Sequence, residues 1–132
     1  LGVAFDPDDM GYWYSDKAPD LTRMQLQHDN LVATLQGHGI QTEVLDPLPG
    51  KFTKSIYTRD PLVNVKGGAI ITRLAPVMRR GEEAHVTKTI AGLGMPVLGT
   101  ITGNGFVEGG SLVKLTNKVA LYGTGIRCNR EG

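Results

Sequence analysis

The chain has 132 residues and a mass of 14.2 kDa, enough to bury one core of ordinary size and too short for two large domains. Its 40% hydrophobic and 20% charged residues sit near globular averages, so the 18 glycines stand out and announce many tight turns. A formal charge of +1 with interspersed signs, and 6% aromatic residues, supply neither a basic stripe for phosphates nor stacking platforms for bases, which argues against a nucleic-acid partner.

No apolar run approaches the roughly 20 residues that cross a bilayer, and the start lacks a basic segment followed by a long apolar one, so a cytoplasmic protein with no membrane partner is expected. A single cysteine, Cys128, cannot form an internal disulfide, and one thiol with three scattered histidines makes no zinc pattern. No metal and no cofactor are expected. The chain opens on Leu1 and stops at Gly132 without a change of composition, which reads as a fragment of something longer.

In chain order, Gly2 to Phe5 predicts a short strand that runs into the turn-rich Asp6-Pro7-Asp8-Asp9, followed by Tyr12, Trp13 and Tyr14, which suit a core, an interface or a lid. Asp20 is placed to cap a helix with Leu21, Met24, Leu31, Val32 and Leu35 on one apolar face, His28 within that stripe as a core histidine, and Gly37 and Gly39 closing it around His38. Ile40 to Leu45 alternates as a half-buried strand. Leu62 to Val65, a Lys66-Gly67-Gly68 turn and Ala69 to Thr72 predict a hairpin. Glu82 to Leu93 has helical spacing through Val86 and Ile90, and Met95 to Leu98 is the strand after it. A second hairpin follows, from Ser111 to Leu115 and from Val119 to Tyr122 about a Thr116-Asn117-Lys118 turn.

A strand-turn-strand-helix-strand unit therefore recurs. Glu108 lies 48 residues after Asp60, Arg79 lies 19 after Asp60, and Arg127 lies 19 after Glu108. Each unit presents a carboxylate before its hairpin and a guanidinium after it. Two carboxylates suit a planar guanidinium ligand and two arginines suit a carboxylate, so the set is complementary to a free arginine-like amino acid.

The segments that carry this chemistry are Tyr57-Thr58-Arg59-Asp60-Pro61 with Arg79-Arg80-Gly81-Glu82, and Phe106-Val107-Glu108-Gly109-Gly110 with Arg127-Cys128-Asn129. They resemble the matching segments of arginine deiminases, dimethylarginine hydrolases and glycine amidinotransferases. The resemblance covers the chain from about Gln27 onward. It implies an α/β fold, a partial pentein propeller of repeated ββαβ modules, with residues 1–50 as the remainder of a first module, 51–100 as a second and 101–132 as the start of a third. It implies that Asp60 and Glu108 serve the catalytic site by binding the guanidinium nitrogens, and that Arg79 and Arg127 hold the substrate carboxylate. In such enzymes a cysteine thiolate attacks the guanidinium carbon and a histidine shuttles protons. Both belong to later sequence than this chain contains. Cys128 stands where the family usually has Thr, and Ser111 where an acidic residue is common.

Other roles are open to the same residues. Asp60 before Pro61 is also a turn cap, Glu108 before two glycines is also a loop residue, and Arg73, Arg79 and Arg80 also suit a solvated face. Asn129 suits a turn support, and Cys128 a small buried residue. His38 suits a cap, and His85 has no sequence-local partner. The expected function is hydrolysis of the guanidinium group of free or substituted arginine. The alternatives are amidinotransfer to an amine, a non-catalytic guanidino-binding module, and a fragment that assembles with itself or with a missing C-terminal half.

Overall fold

The computed structural model describes residues 19–48, 50, 52 and 54–132. The strand expected over residues 2–5, the turn after it and the aromatic run Tyr12, Trp13 and Tyr14 lie outside these. The chain divides into two compact units, Leu1–Thr53 and Lys54–Gly132.

In the first unit, helix α1 spans Leu21–Gly37. Asp20 caps it as expected, its carboxylate accepting the Arg23 N–H at 3.0 Å and so satisfying one donor of the open first turn. The far end closes on His38 as the C-cap, with the Ile40 N–H reaching the Leu35 carbonyl at 3.0 Å across Gly39, whose φ of 75° favours glycine. Met24, Val32 and Leu35 are half-buried, but Leu21 and Leu31 are exposed, so the apolar stripe is narrower than its spacing suggested. His28 is a second correction: it is exposed and meets the neighbouring Asp29 carboxylate at 3.2 Å, because the helix turns it to solvent. Residues 40–45 form no strand, since alternation alone makes no ladder without a partner to pair with, and none lies among the described residues.

The second unit is built on a three-stranded sheet in the order β1 (Leu62–Val65), β2 (Gly68–Ile71), β3 (Val97–Thr100). β1 and β2 form the expected hairpin, with Val65 opposite Gly68 across the two-residue turn Lys66-Gly67. Gly67 has a φ of 95°, as such tight turns require. Gly68 is needed for a different reason. A Cβ there would collide with the Pro96 carbonyl oxygen, which accepts the Ala69 N–H at 2.9 Å.

Helix α2, Glu82–Gly92, crosses from β2 to β3, which pair in parallel. Val86 and Ile90, one turn apart on α2, are buried, as are Ala69, Ile71 and Leu74. Full burial of each larger apolar side chain contributes about 1.5–3 kcal/mol. β3 starts two residues later than its hydrophobic run predicts. Met95 still belongs to the helix end, its N–H bonded to the Ile90 carbonyl at 2.9 Å, and the register with β2 starts at Val97, opposite Ala69. The second hairpin, β4 (Leu112–Lys114) and β5 (Ala120–Tyr122), forms where expected. Thr116 Oγ1 closes its turn by accepting the N–H groups of Lys118 and Val119. One complete ββαβ module and the first two strands of another are thus present in this unit, a mixed α/β arrangement.

Candidate active site

Asp60 sits at the end of the turn that feeds β1. Its backbone is a junction: the carbonyl oxygen accepts the Thr72 hydroxyl at 2.7 Å and the Gly109 N–H at 2.9 Å. Thr72 belongs to the segment leaving β2, and Gly109 to the segment entering β4, so Asp60 and Glu108 are drawn together by main-chain bonds. Gly109 makes the approach possible. A Cβ at that position would overlap the Arg59 carbonyl oxygen and lie 2.6 Å from that of Leu62. A Cβ on Gly110 would stand 3.2 Å from Asp60 Oδ1.

The two carboxylates have unequal surroundings. Asp60 is partly open, with its side chain 17% exposed, and its Oδ2 accepts Arg79 Nη1 at 2.7 Å. Glu108 is buried at 5% exposure. Its Oε2 meets Arg127 Nη1 at 3.4 Å, while Oε1 is buried with no hydrogen-bond partner among the described residues. Burial, and then the negative charge of Asp60, push the Glu108 carboxyl above its ordinary pKa, with Arg127 pulling the other way. A buried carboxylate oxygen beside a second carboxylate is costly when no donor meets it.

The structure therefore joins each carboxylate to the arginine 19 residues on, and the two pairs differ. Arg79 is 1% exposed. Its Nε and Nη2 hold both oxygens of Glu82, its Nη1 holds Asp60, and its Nη2 also reaches the Tyr57 carbonyl at 3.3 Å. Burial works against the charge, but the bonds to Glu82 and Asp60 outweigh it and keep the guanidinium pKa above its ordinary value. This geometry speaks against the expectation that Arg79 clamps a ligand carboxylate: its fork is already closed on Glu82. Its place is behind Asp60. Arg127, with its side chain 36% exposed, is the more accessible guanidinium.

The remaining candidates sort by what they touch. Arg80 is exposed, donates to the Leu74 and Ala75 carbonyls, and lies 5.3 Å from the Phe106 ring centroid. Arg73 is half-buried with its guanidinium 4.7 Å from the same centroid, so it is not a solvated arginine. Asn129 ties its loop to Phe106 and Asn104. Cys128 is buried at 2% exposure, and its thiol donates to Ser111 Oγ at 2.8 Å. Two partnerships escaped the sequence reading: that of Glu82 with Arg79, for which the three-residue spacing inside the quoted segment is a visible signal, and that of Ser111 with Cys128, for which no local signal exists.

A family model described as N,N dimethylarginine dimethylhydrolase, eukaryotic, matches residues 16–132. The N(G),N(G)-dimethylarginine dimethylaminohydrolase of Streptomyces coelicolor is 32% identical over 106 residues, covering 80% of this chain and 40% of the relative. That of Pseudomonas aeruginosa is 28% identical over 114 residues, covering 86% and 44%. A solved structure of the Pseudomonas aeruginosa enzyme, a cysteine-to-serine mutant complexed with citrulline, superposes with a TM-score of 0.79 at 27% identity, over 89% of this chain and 47% of the other. The chain thus spans about two fifths of the length of these curated relatives.

Proposed function

Since this chain belongs to the N,N-dimethylarginine dimethylhydrolase family, we propose that its parent protein hydrolyses the guanidinium group of free arginine or of a methylated arginine in the cytoplasm. The observation that carries this reading is Glu108 Oε1, buried without a partner among the described residues beside the partly open carboxylate of Asp60. Guanidinium N–H groups would satisfy that oxygen and neutralise both acids. Asp60 and Glu108 receive the guanidinium, Arg127 receives the α-carboxylate, and Arg79 holds Asp60 in place. The modules continue around an axis as a pentein propeller.

In this reading the reaction is covalent. A cysteine thiolate adds to the guanidinium carbon, and the amine departs with a proton. Water then adds to the thiouronium-type intermediate and expels the thiolate, leaving the ureido group of citrulline. The relative crystallised with citrulline as a cysteine-to-serine mutant supports this chemistry by analogy. Cys128 is not that nucleophile: it is buried and its thiol is engaged with Ser111. The two carboxylates act by holding the guanidinium planar and cationic, which keeps its carbon electrophilic.

The test is titration of L-arginine and of agmatine, which lacks the carboxylate, against the full-length protein, together with an assay for citrulline. Arginine is expected to bind at least tenfold tighter, and Arg127→Gln to remove most of that preference. Equal affinity for the two ligands takes the carboxylate role from Arg127. Absence of citrulline from both arginine and N,N-dimethylarginine defeats the hydrolase reading.

A further inference from the structure

Ser111 and Cys128, 17 residues apart in sequence, are in direct contact, the thiol donating to the hydroxyl oxygen at 2.8 Å. The same sulfur accepts the backbone N–H of Glu108 at 3.3 Å. The backbone N–H of Ser111 in turn donates to the Glu108 carbonyl at 2.9 Å. The peptide groups on both sides of the Glu108 Cα are therefore held by one pair of residues. That pair is itself anchored: the Ser111 carbonyl accepts the Gly123 N–H at 2.9 Å, and Cys128 exchanges backbone bonds with Gly125 at 2.7 and 3.3 Å.

From this closed ring we infer that Ser111 and Cys128 act as one positioning unit that aims the Glu108 carboxylate at the guanidinium. The inference rests on the guanidine-binding reading above. A thiol is both a donor and an acceptor, so Cys128 serves the Glu108 N–H and the Ser111 oxygen together, which an apolar residue of its size cannot do. The pair is also uncharged. It fixes Glu108 without adding a third negative charge beside a carboxylate that already opposes Asp60 and is already largely desolvated.

The experiment measures L-arginine binding to the full-length protein by calorimetry. Glu108→Gln and Asp60→Asn come first, and wild-type affinity in both defeats the guanidine-binding reading itself, whatever the pair does. With those losses in hand, Cys128→Ala and Ser111→Ala are each expected to weaken binding about tenfold, the cost of leaving one backbone or side-chain partner unmade. The double variant is expected to be no weaker than the worse single one, because the two act as a unit. Cys128→Ser, which keeps donor and acceptor, restores affinity. Ser111→Asp places a carboxylate in the ring and is expected to move the acid limb of the binding profile to higher pH, a change that general loosening does not produce. Wild-type affinity in the alanine variants, simple additivity, failure of serine to rescue, or an unmoved acid limb in Ser111→Asp overturns the inference. Should Cys128→Ala not fold, the half-buried Ser111 variants and Cys128→Ser decide it.

Discussion

Arg79 Nη1 stands 2.7 Å from Asp60 Oδ2, with the arginine 1% exposed and its other face closed on Glu82. This ion triad makes Arg79 the support that holds the Asp60 carboxylate in place. Arg79→Met would leave Glu82, itself 1% exposed, as an uncompensated buried charge. The expected loss is about 3–5 kcal/mol of folding stability, read by urea denaturation. Arg79→Lys keeps the charge but not the planar fork, and is expected to recover only part of it. A loss below about 1 kcal/mol in Arg79→Met would show that the triad does not hold this region together.

Asp60→Asn and Glu108→Gln remove the two charges proposed to receive the guanidinium. Each is expected to weaken arginine binding by at least a hundredfold, about 3 kcal/mol, since a charged hydrogen bond in a partly dry site is lost. Glu108→Gln should be the more severe because its side chain is the more buried of the two. Calorimetric titration checks both, and an unchanged affinity in either variant removes that residue from the site.

Glu108 titrates above its ordinary range, which has a definite sign for stability. A carboxyl whose folded pKa is raised binds more protons folded than unfolded, between the unfolded pKa and the folded one, so stability falls as pH rises through that window. Below the window the glutamate is neutral in both states and costs nothing. Glu108→Gln is therefore expected to raise the melting temperature at neutral pH and to leave it nearly unchanged near pH of about 4. An equal shift at both pH values would contradict the assignment. By the same logic, guanidine binding should fall off on acidification at a pH above that of an ordinary glutamate.

Gly109 is held between the carbonyl oxygens of Arg59 and Leu62. Gly109→Ala forces those segments apart and with them Asp60 from Glu108. The expected result is a stability loss of about 1–3 kcal/mol from overpacking, accompanied by weaker arginine binding. Gly50→Ala serves as the contrast, because a Cβ there meets nothing within 4 Å. Similar losses in both would show that the effect is not the close approach.

Much of this was legible in the chain itself. Asp20 as a cap, the two hairpins and helix α2 follow from turn chemistry and apolar period, because those signals act within a few residues. The strand expected at 40–45 and the core placement of His28 were not supported, since both depend on what lies opposite and not on local spacing. β3 was displaced by two residues because its register is set by β2, 28 residues earlier at Ala69 and Val97.

The candidate site divides in the same way. The 48-residue and 19-residue spacings of Asp60, Glu108, Arg79 and Arg127 are properties of the sequence alone, and they single out the four residues for which a guanidino ligand is proposed. Only the tertiary structure decided that Arg79 is spent on Glu82 and Asp60, that Glu108 keeps one oxygen without a partner among the described residues, and that Ser111 meets Cys128. The reason is physical: spacing along the chain states which side chains recur, whereas burial and hydrogen-bond partners are set by segments about 20 to 50 residues apart coming within hydrogen-bond distance of each other.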